Sequence, residues 1–208
     1  MIKLNAFQLK IIALISMTID HIGYFLFPNI IILRIMGRLS FVIFAYMLVN
    51  GYLHTSNKVK HGLIILGLGI LFDIILLCIN SFITTNIFTT LGLGYFLVMY
   101  FDEKKYYLVI PILIIGAFLP LDYGLYGLLL ILSCYLCFNN ISLLLIINIG
   151  LIMILSQFNI INNLQLYSSI GILLLYLYNN KKGQSLKYFF YAYYPLHIIF
   201  LSVIANYK

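Results

Sequence analysis

Apolar residues run along this chain in long blocks broken by short polar clusters, glycines and prolines, and the breaks fall every 15 to 30 residues. Cutting at that punctuation predicts nine helices, at about 8 to 27, 35 to 53, 62 to 80, 87 to 101, 106 to 119, 124 to 138, 141 to 157, 165 to 179 and 188 to 206. Several are shorter than the roughly 20 residues that cross a hydrocarbon core, so tilt, local thinning or burial among neighbours is implied. The connections leave no room for a second domain, and no internal repeat is visible. The expectation is an all-α polytopic transmembrane helix bundle of about nine spans, with residues 1–208 as one domain.

Composition supports the same class. Hydrophobic residues make up 64% of the 208 residues and charged residues 8%, and the mean hydropathy is +1.10, far outside the range of a soluble domain. The 12 Lys and Arg exceed the 5 Asp and Glu, for a net charge of +7. In a soluble chain that excess would suggest nucleic acid; here it is membrane topology, and no nucleic-acid partner is expected. With the N-terminus inside, the inner loops carry Lys58, Lys60, Lys104, Lys105, Lys181, Lys182 and Lys187, while the outer loops hold Arg34, with Lys208 at the tail. This positive-inside pattern favours an odd number of spans and a multi-pass protein of the cell membrane. The first apolar stretch is too long for a cleavable signal and carries Asp20 and His21, so it is expected to stay as the first span.

Ionisable side chains inside such segments cost about a few kcal/mol each by insertion scales, and function is their default explanation. Lys10 and His21 stand 11 residues apart in the first helix, on one face and about 16 Å apart along the axis. By depth, His21 and Arg38 lie at a similar level near the outer side, which lets Asp20 pair with Arg38. Asp73, Asp122 and His197 add to the set of intramembrane polar residues. In Tyr193-Tyr194-Pro195-Leu196-His197 the proline removes a backbone donor and frees the carbonyl of Tyr191, bending the helix just before the histidine. The plainer alternatives are an ion pair between neighbouring helices with a satisfied core histidine, and an interfacial belt formed by Tyr188, Tyr191 and Tyr207.

The string Leu9-Lys10-Ile11-Ile12-Ala13-Leu14-Ile15-Ser16-Met17-Thr18-Ile19-Asp20-His21-Ile22-Gly23 resembles the opening of the TraX family, named for the enzyme that acetylates the N-terminus of conjugative pilin. The likeness continues through residues 32–46 and 50–55, through Asn86-Ile87-Phe88-Thr89-Thr90-Leu91 and Asp122-Tyr123-Gly124, and on to residues 178–183 and Tyr194-Pro195-Leu196-His197. That family in turn resembles a wider group of membrane acyltransferases, including acyltransferase type three and the lysosomal heparan glucosaminide acetyltransferase. The group has a basic residue, ten intervening residues and a histidine in its first helix, a spacing that Lys10 and His21 reproduce. Val42 departs from the pattern, where proline is expected after Gly37-Arg38-Leu39-Ser40-Phe41.

The resemblance implies acetyl transfer from cytoplasmic acetyl-CoA to an acceptor amine or hydroxyl, on a pilin-like protein or a surface glycan. Histidine is the side chain best suited to accept the acceptor's proton near neutral pH, and His21 is the first candidate base. Asp20 would orient it, Arg38 would hold Asp20 or stabilise an anionic intermediate, and His197 would share in proton transfer or bind the acceptor. Lys10 is the first candidate for the coenzyme A phosphates, with Lys58, Lys60, Lys181 and Lys182 as further point charges. Asp73, Asp122 and Tyr194 are candidate acceptor contacts.

Other constellations are thin. Cys134 and Cys137 have CxxC spacing in an apolar helix without a second ligand pair and are expected to be packing residues, Cys78 is solitary, and no metal site is expected. His54 and His61 flank a loop. The competing functions are a small transporter or flippase, whose proton relays also use buried ionisable groups, and a non-enzymatic scaffold for pilus or surface-polymer assembly.

Overall fold

A computed structural model describes residues 3–80, 86–185 and 187–206. Of the positions singled out above, Tyr207 and Lys208 lie outside the described residues, as do the side chains of Lys187 and Tyr188. The described chain is all-helical: α1 (Ala6–Phe25), α2 (Ile31–His54), α3 (Lys58–Asn80), α4 (Ile87–Asp102), α5 (Tyr106–Phe118), α6 (Gly124–Leu136), α7 (Ile141–Gln157), α8 (Ser168–Leu175) and α9 (Lys187–Asn206), with a 3-10 turn at Asn163–Tyr167. Two of these, α1 and α2, are long and apolar enough to cross a membrane among the described residues; α4 to α8 have 17 residues or fewer. The 13 residues of α5 and of α6 extend only about 20 Å at 1.5 Å per residue.

Two expected boundaries move for identifiable reasons. The second helix begins at Ile31, ahead of the expected position 35, because Ile31-Ile32-Leu33 continues the apolar run into it. Arg34, expected in an outer loop, is thereby a helical residue. The eighth segment splits into the 3-10 turn and α8, which stops at Leu175. Beyond it the backbone is claimed by the start of the chain: Leu4 N donates to the Leu177 carbonyl at 2.7 Å, Asn179 N to the Leu4 carbonyl at 2.9 Å, and Ala6 N to the Lys181 carbonyl at 2.8 Å.

The chain forms two compact units. The first comprises residues 1–44, 141–149 and 162–208. Helix α1 starts at a capping box in which Asn5 Oδ1 accepts from Gln8 N and Gln8 Oε1 from Asn5 N, both at 2.9 Å. Its buried stripe, Leu9, Ala13, Met17 and Asp20, repeats every three or four residues, so one face is turned inward. Helix α9 packs on α1, and α2 crosses it closely. At that crossing Ser16 Oγ donates to the Met36 carbonyl at 2.6 Å, and a Cβ added at Gly37 would collide with the Asp20 side chain. Glycine is required there by space alone.

The second unit comprises residues 45–140 and 150–161. Helix α4 is its centre, buried along most of its length from Ile87 to Met99 and packed by α3, α5 and α6. The approach of α3 to α4 is close: a Cβ at Gly69 would lie 2.6 Å from Thr89 N, and one at Gly92 would lie 2.7 Å from Leu66 Cα.

These approaches make a graded prediction. Gly37→Ala should lower stability by about 1–3 kcal/mol, the usual cost of forcing extra volume into a packed site. Gly67→Ala, whose new methyl meets nothing within 4 Å, should leave the melting temperature of detergent-solubilised protein within a few degrees of wild type. Equal effects of the two substitutions would refute a tight α1–α2 crossing.

Candidate functional site

The polar side chains of the first unit gather on the buried side of α1. Asp20, on the buried stripe, is gripped by two guanidiniums from α2. Arg34 Nη1 lies 2.9 Å from Asp20 Oδ2, and Arg38 Nη2 lies 3.1 Å from Oδ1. Their spacing of four places both arginines on one face of α2. Arg34 Nη1 also donates to the Asp20 carbonyl at 3.1 Å, and Arg38 Nε to the Arg34 carbonyl at 3.2 Å. The Arg34 guanidinium rests over the Tyr24 ring at 5.2 Å from its centroid. The expected pairing of Asp20 with Arg38 is present; Arg34 is an addition the sequence did not suggest.

His21 stands next to this cluster on α1, and the charges of Arg34 and Arg38 are near enough to act on it. Its Nδ1 lies 2.7 Å from Nε2 of His197 on α9. His197 Nδ1 lies in turn 2.9 Å from the carbonyl oxygen of Tyr193, one helical turn back. These contacts fix the protons. A carbonyl only accepts, so His197 Nδ1 carries hydrogen and donates to it. With both rings neutral, His197 Nε2 is then a lone pair, His21 Nδ1–H donates to it, and the lone pair of His21 sits on Nε2. The relay leaves His21 Nε2 basic and aligns it from behind.

Tyrosines frame the pair. The Tyr194 ring meets both imidazoles edge-on, with centroids 6.0 Å from His21 and 5.5 Å from His197, and the Tyr193 ring stacks on His197 at 5.0 Å. Tyr193 Oη and Thr18 Oγ1 share a hydrogen bond of 2.9 Å that ties α9 to α1. Pro195 lies inside α9 between Tyr193 and His197.

Toward the other end of α1, Lys10 is half-buried, and Lys182 is close enough for its charge to act on it. Neither has a carboxylate partner among the described residues. Lys181 and Lys182 are exposed in the segment that carries the backbone ties to Leu4 and Ala6.

The remaining candidates belong to the second unit, where each has local work. Lys58 Nζ pairs with Asp102 Oδ2 at 2.9 Å, lies 4.2 Å from the centre of the Tyr52 ring, and donates to Tyr52 Oη at 3.0 Å. Asp102 also accepts from Tyr52 and from Tyr135, each at 2.6 Å. Lys60 is exposed at the start of α3. Asp73 takes Asn86 N and Asn86 Nδ2 at 2.7 Å on one oxygen and Thr89 Oγ1 at 2.5 Å on the other. It thus secures the N-terminus of α4. The carbonyl of Asp122 accepts from Thr90 Oγ1 at 2.6 Å, in a turn completed by Tyr123 and Gly124 at positive φ. The sequence reading missed Asp102, Arg34 and Gln165; Asp102 alone offered a signal, as an acid at the end of an apolar helix.

A stretch of 96 residues is 38% identical to an uncharacterised protein of Rickettsia prowazekii (strain Madrid E), covering 46% of this chain and 37% of that protein. A stretch of 64 residues is 36% identical to a probable fimbrial assembly protein, FimC of serogroup H1, from Dichelobacter nodosus, covering 29% of this chain and 26% of that one. The matches thus span well under half the length of either relative. No solved structure matches. Residues 6–205 match the TraX protein family, and since that match takes in both histidines, the arginine-bound Asp20 and nearly all of the rest, the chain belongs to the TraX family.

Proposed function

We propose that this chain is an integral membrane acetyltransferase that moves an acetyl group from cytoplasmic acetyl-CoA to an amine or hydroxyl at the membrane. The observation that carries the reading is the His21–His197 relay beside the Asp20–Arg34–Arg38 cluster, on helices that are otherwise apolar. Membrane immersion is supported by the large apolar side chains turned outward, among them Phe118 at 84%, Phe158 at 70% and Ile146 at 67% exposure. In lipid that surface is a solvent match.

In this reading His21 Nε2 takes the proton of the attacking N–H or O–H as the acceptor adds to the thioester carbonyl. His197 holds the imidazole in the required tautomer and shares the charge it gains, the role a carboxylate plays in many triads. Collapse of the tetrahedral adduct breaks the C–S bond, and the proton on His21 is available to the departing thiolate. Lys10 and Lys182, two cations near each other with no carboxylate partner among the described residues, suit the phosphates of coenzyme A; Lys58, already held by Asp102, suits them less. The name of the Dichelobacter relative, a fimbrial assembly protein, favours a pilin-like acceptor over a surface glycan. The same name also fits a scaffold, and the catalytic tests below divide the two.

Purified protein in detergent should melt at higher temperature with millimolar acetyl-CoA and should hydrolyse it slowly, with water in the acceptor's place. No thermal shift and no release of free thiol would sink the enzyme reading. His21→Ala should fold and still bind acetyl-CoA, because alanine suits the helix, while its turnover falls by about 10² to 10⁴, the usual contribution of a general base. Turnover near the wild-type rate would pass the role to another group. Topology is checked by single cysteines at Asn29, Asn57, Lys104 and Gln184 in a cysteine-free background. A membrane-impermeant maleimide added to whole cells should label only the Asn29 position, and labelling at Gln184 would overturn the placement of the lysine-bearing segment in the cytoplasm.

A further inference from the structure

One buried donor beside the Asp20 cluster has no work in the mechanism above. Gln165 sits in the 3-10 turn Asn163–Tyr167 and is 5% exposed. Its Oε1 accepts from Arg38 Nη1 at 3.4 Å. A guanidinium can only donate, so the amide oxygen must face Arg38, and the orientation of the amide is set by that contact. The Nε2 group, with its two N–H bonds, is therefore turned away from Arg38, and it has no hydrogen-bond partner among the described residues. A buried amide donor of this kind needs an explanation, and an acceptor supplied by a ligand is one.

The turn is firmly built, which makes looseness a poor explanation. Asn162 caps it by accepting from Leu164 N at 2.9 Å, and Gln165 N donates to the Asn162 carbonyl at 2.9 Å. The helix that follows is pinned at Ser168 and Ser169, which accept from Asn148 Nδ2 at 3.1 and 3.2 Å. At Gly171 an added Cβ would lie 2.8 Å from the Leu39 carbonyl oxygen, so α8 rests directly on the backbone of α2 one residue after Arg38.

We propose that the Nε2–H groups of Gln165, oriented by the contact of its Oε1 with Arg38, are the oxyanion-binding donors of this site, receiving the carbonyl oxygen of the acetyl group. The inference rests on the acetyltransferase reading and deepens it. When the acceptor's nitrogen or oxygen bonds to the carbonyl carbon, its proton passes to His21 Nε2 and the π pair of the carbonyl moves onto the oxygen held by these donors. When the adduct collapses, that pair re-forms the C=O bond, the C–S bond breaks, and the thiolate leaves with the electrons of that bond and recovers a proton from His21. Donors that meet the oxygen more strongly as it becomes anionic lower the barrier without tightening the ground state.

Gln165→Glu separates this role from a structural one. The carboxylate keeps an acceptor for Arg38 but replaces both N–H donors with lone pairs, so a residue needed only to hold Arg38 would tolerate the change. Gln165→Leu removes both functions. In purified protein with acetyl-CoA as the probe, release of free thiol should fall about 10²-fold in kcat for Gln165→Glu. Its KM and the acetyl-CoA thermal shift should stay within about threefold of wild type, and its melting temperature should match or exceed that of wild type. Turnover by Gln165→Glu within threefold of wild type would overturn the proposal, as would a loss carried wholly by KM or by a lower melting temperature. If Gln165→Leu fails to fold, the glutamate variant alone decides. Wild-type protein that neither binds nor hydrolyses acetyl-CoA would bring down the acetyltransferase reading and this inference with it.

Discussion

The structure of the first unit turns on one carboxylate that cannot be left alone. Asp20 lies on the inward stripe of α1 among Leu9, Ala13 and Met17, where an unpaired charge would cost several kcal/mol. Two arginines from α2 offset that cost, and they reach it only because Gly37 lets the helices cross at backbone distance. The same crossing sets His21, the next residue of α1, beside the cations and opposite α9. The polar chemistry of the unit thus depends on a steric allowance made by a hydrogen atom in place of a side chain.

The second unit uses comparable residue types for a different purpose. Asp73 and Asp102 both lie near ends of α4, and each is surrounded by hydroxyls, amides or an ammonium that satisfy it. Their partners are Asn86 and Thr89 at the start of the helix, and Tyr52, Lys58 and Tyr135, from α2, α3 and α6, at its end. An acid whose oxygens are met by several fixed donors is a fastening. The contrast with the first unit lies in what is left over: there a buried donor, Gln165 Nε2, is unmet among the described residues.

Much of this was legible in the sequence because it is written in local periodicity. The bounds of α4, α5 and α7 follow from apolar runs and punctuation to within a residue or so, and the pairing of Asp20 with Arg38 follows from counting helical rise on either side of a short turn. That His197 would work beside His21 was an expectation carried by the family resemblance. What depth and period do not encode is azimuth across long sequence separations. Gln165 reaches Arg38 from 127 residues away, out of a turn that reads as the start of an ordinary helix, and nothing in its neighbourhood marks it. Arg34 was misplaced because a charge after a proline-containing turn looks like a loop residue, whereas the isoleucines before it had already begun the helix. Lys58 looked free for a ligand because its partner, Asp102, lies 44 residues on.

The tie between Leu4 and Tyr178, and the meeting of His21 with His197, have a consequence for how the molecule is made. The contacts of Asp20 with Arg34 and Arg38 span 14 to 18 residues, so they can close as soon as the first two helices have left the ribosome. The imidazole relay spans 176 and must wait for the last helix. Contacts of such separation form late, after a large loss of chain entropy has been met, and synthesis delivers the N-terminal part first. During biogenesis the first hairpin is therefore a charged, assembled scaffold holding an unaligned histidine, and the second ring arrives only once α9 has been made. A product stopped before α9 would be folded in part and would hold His21 without its partner ring.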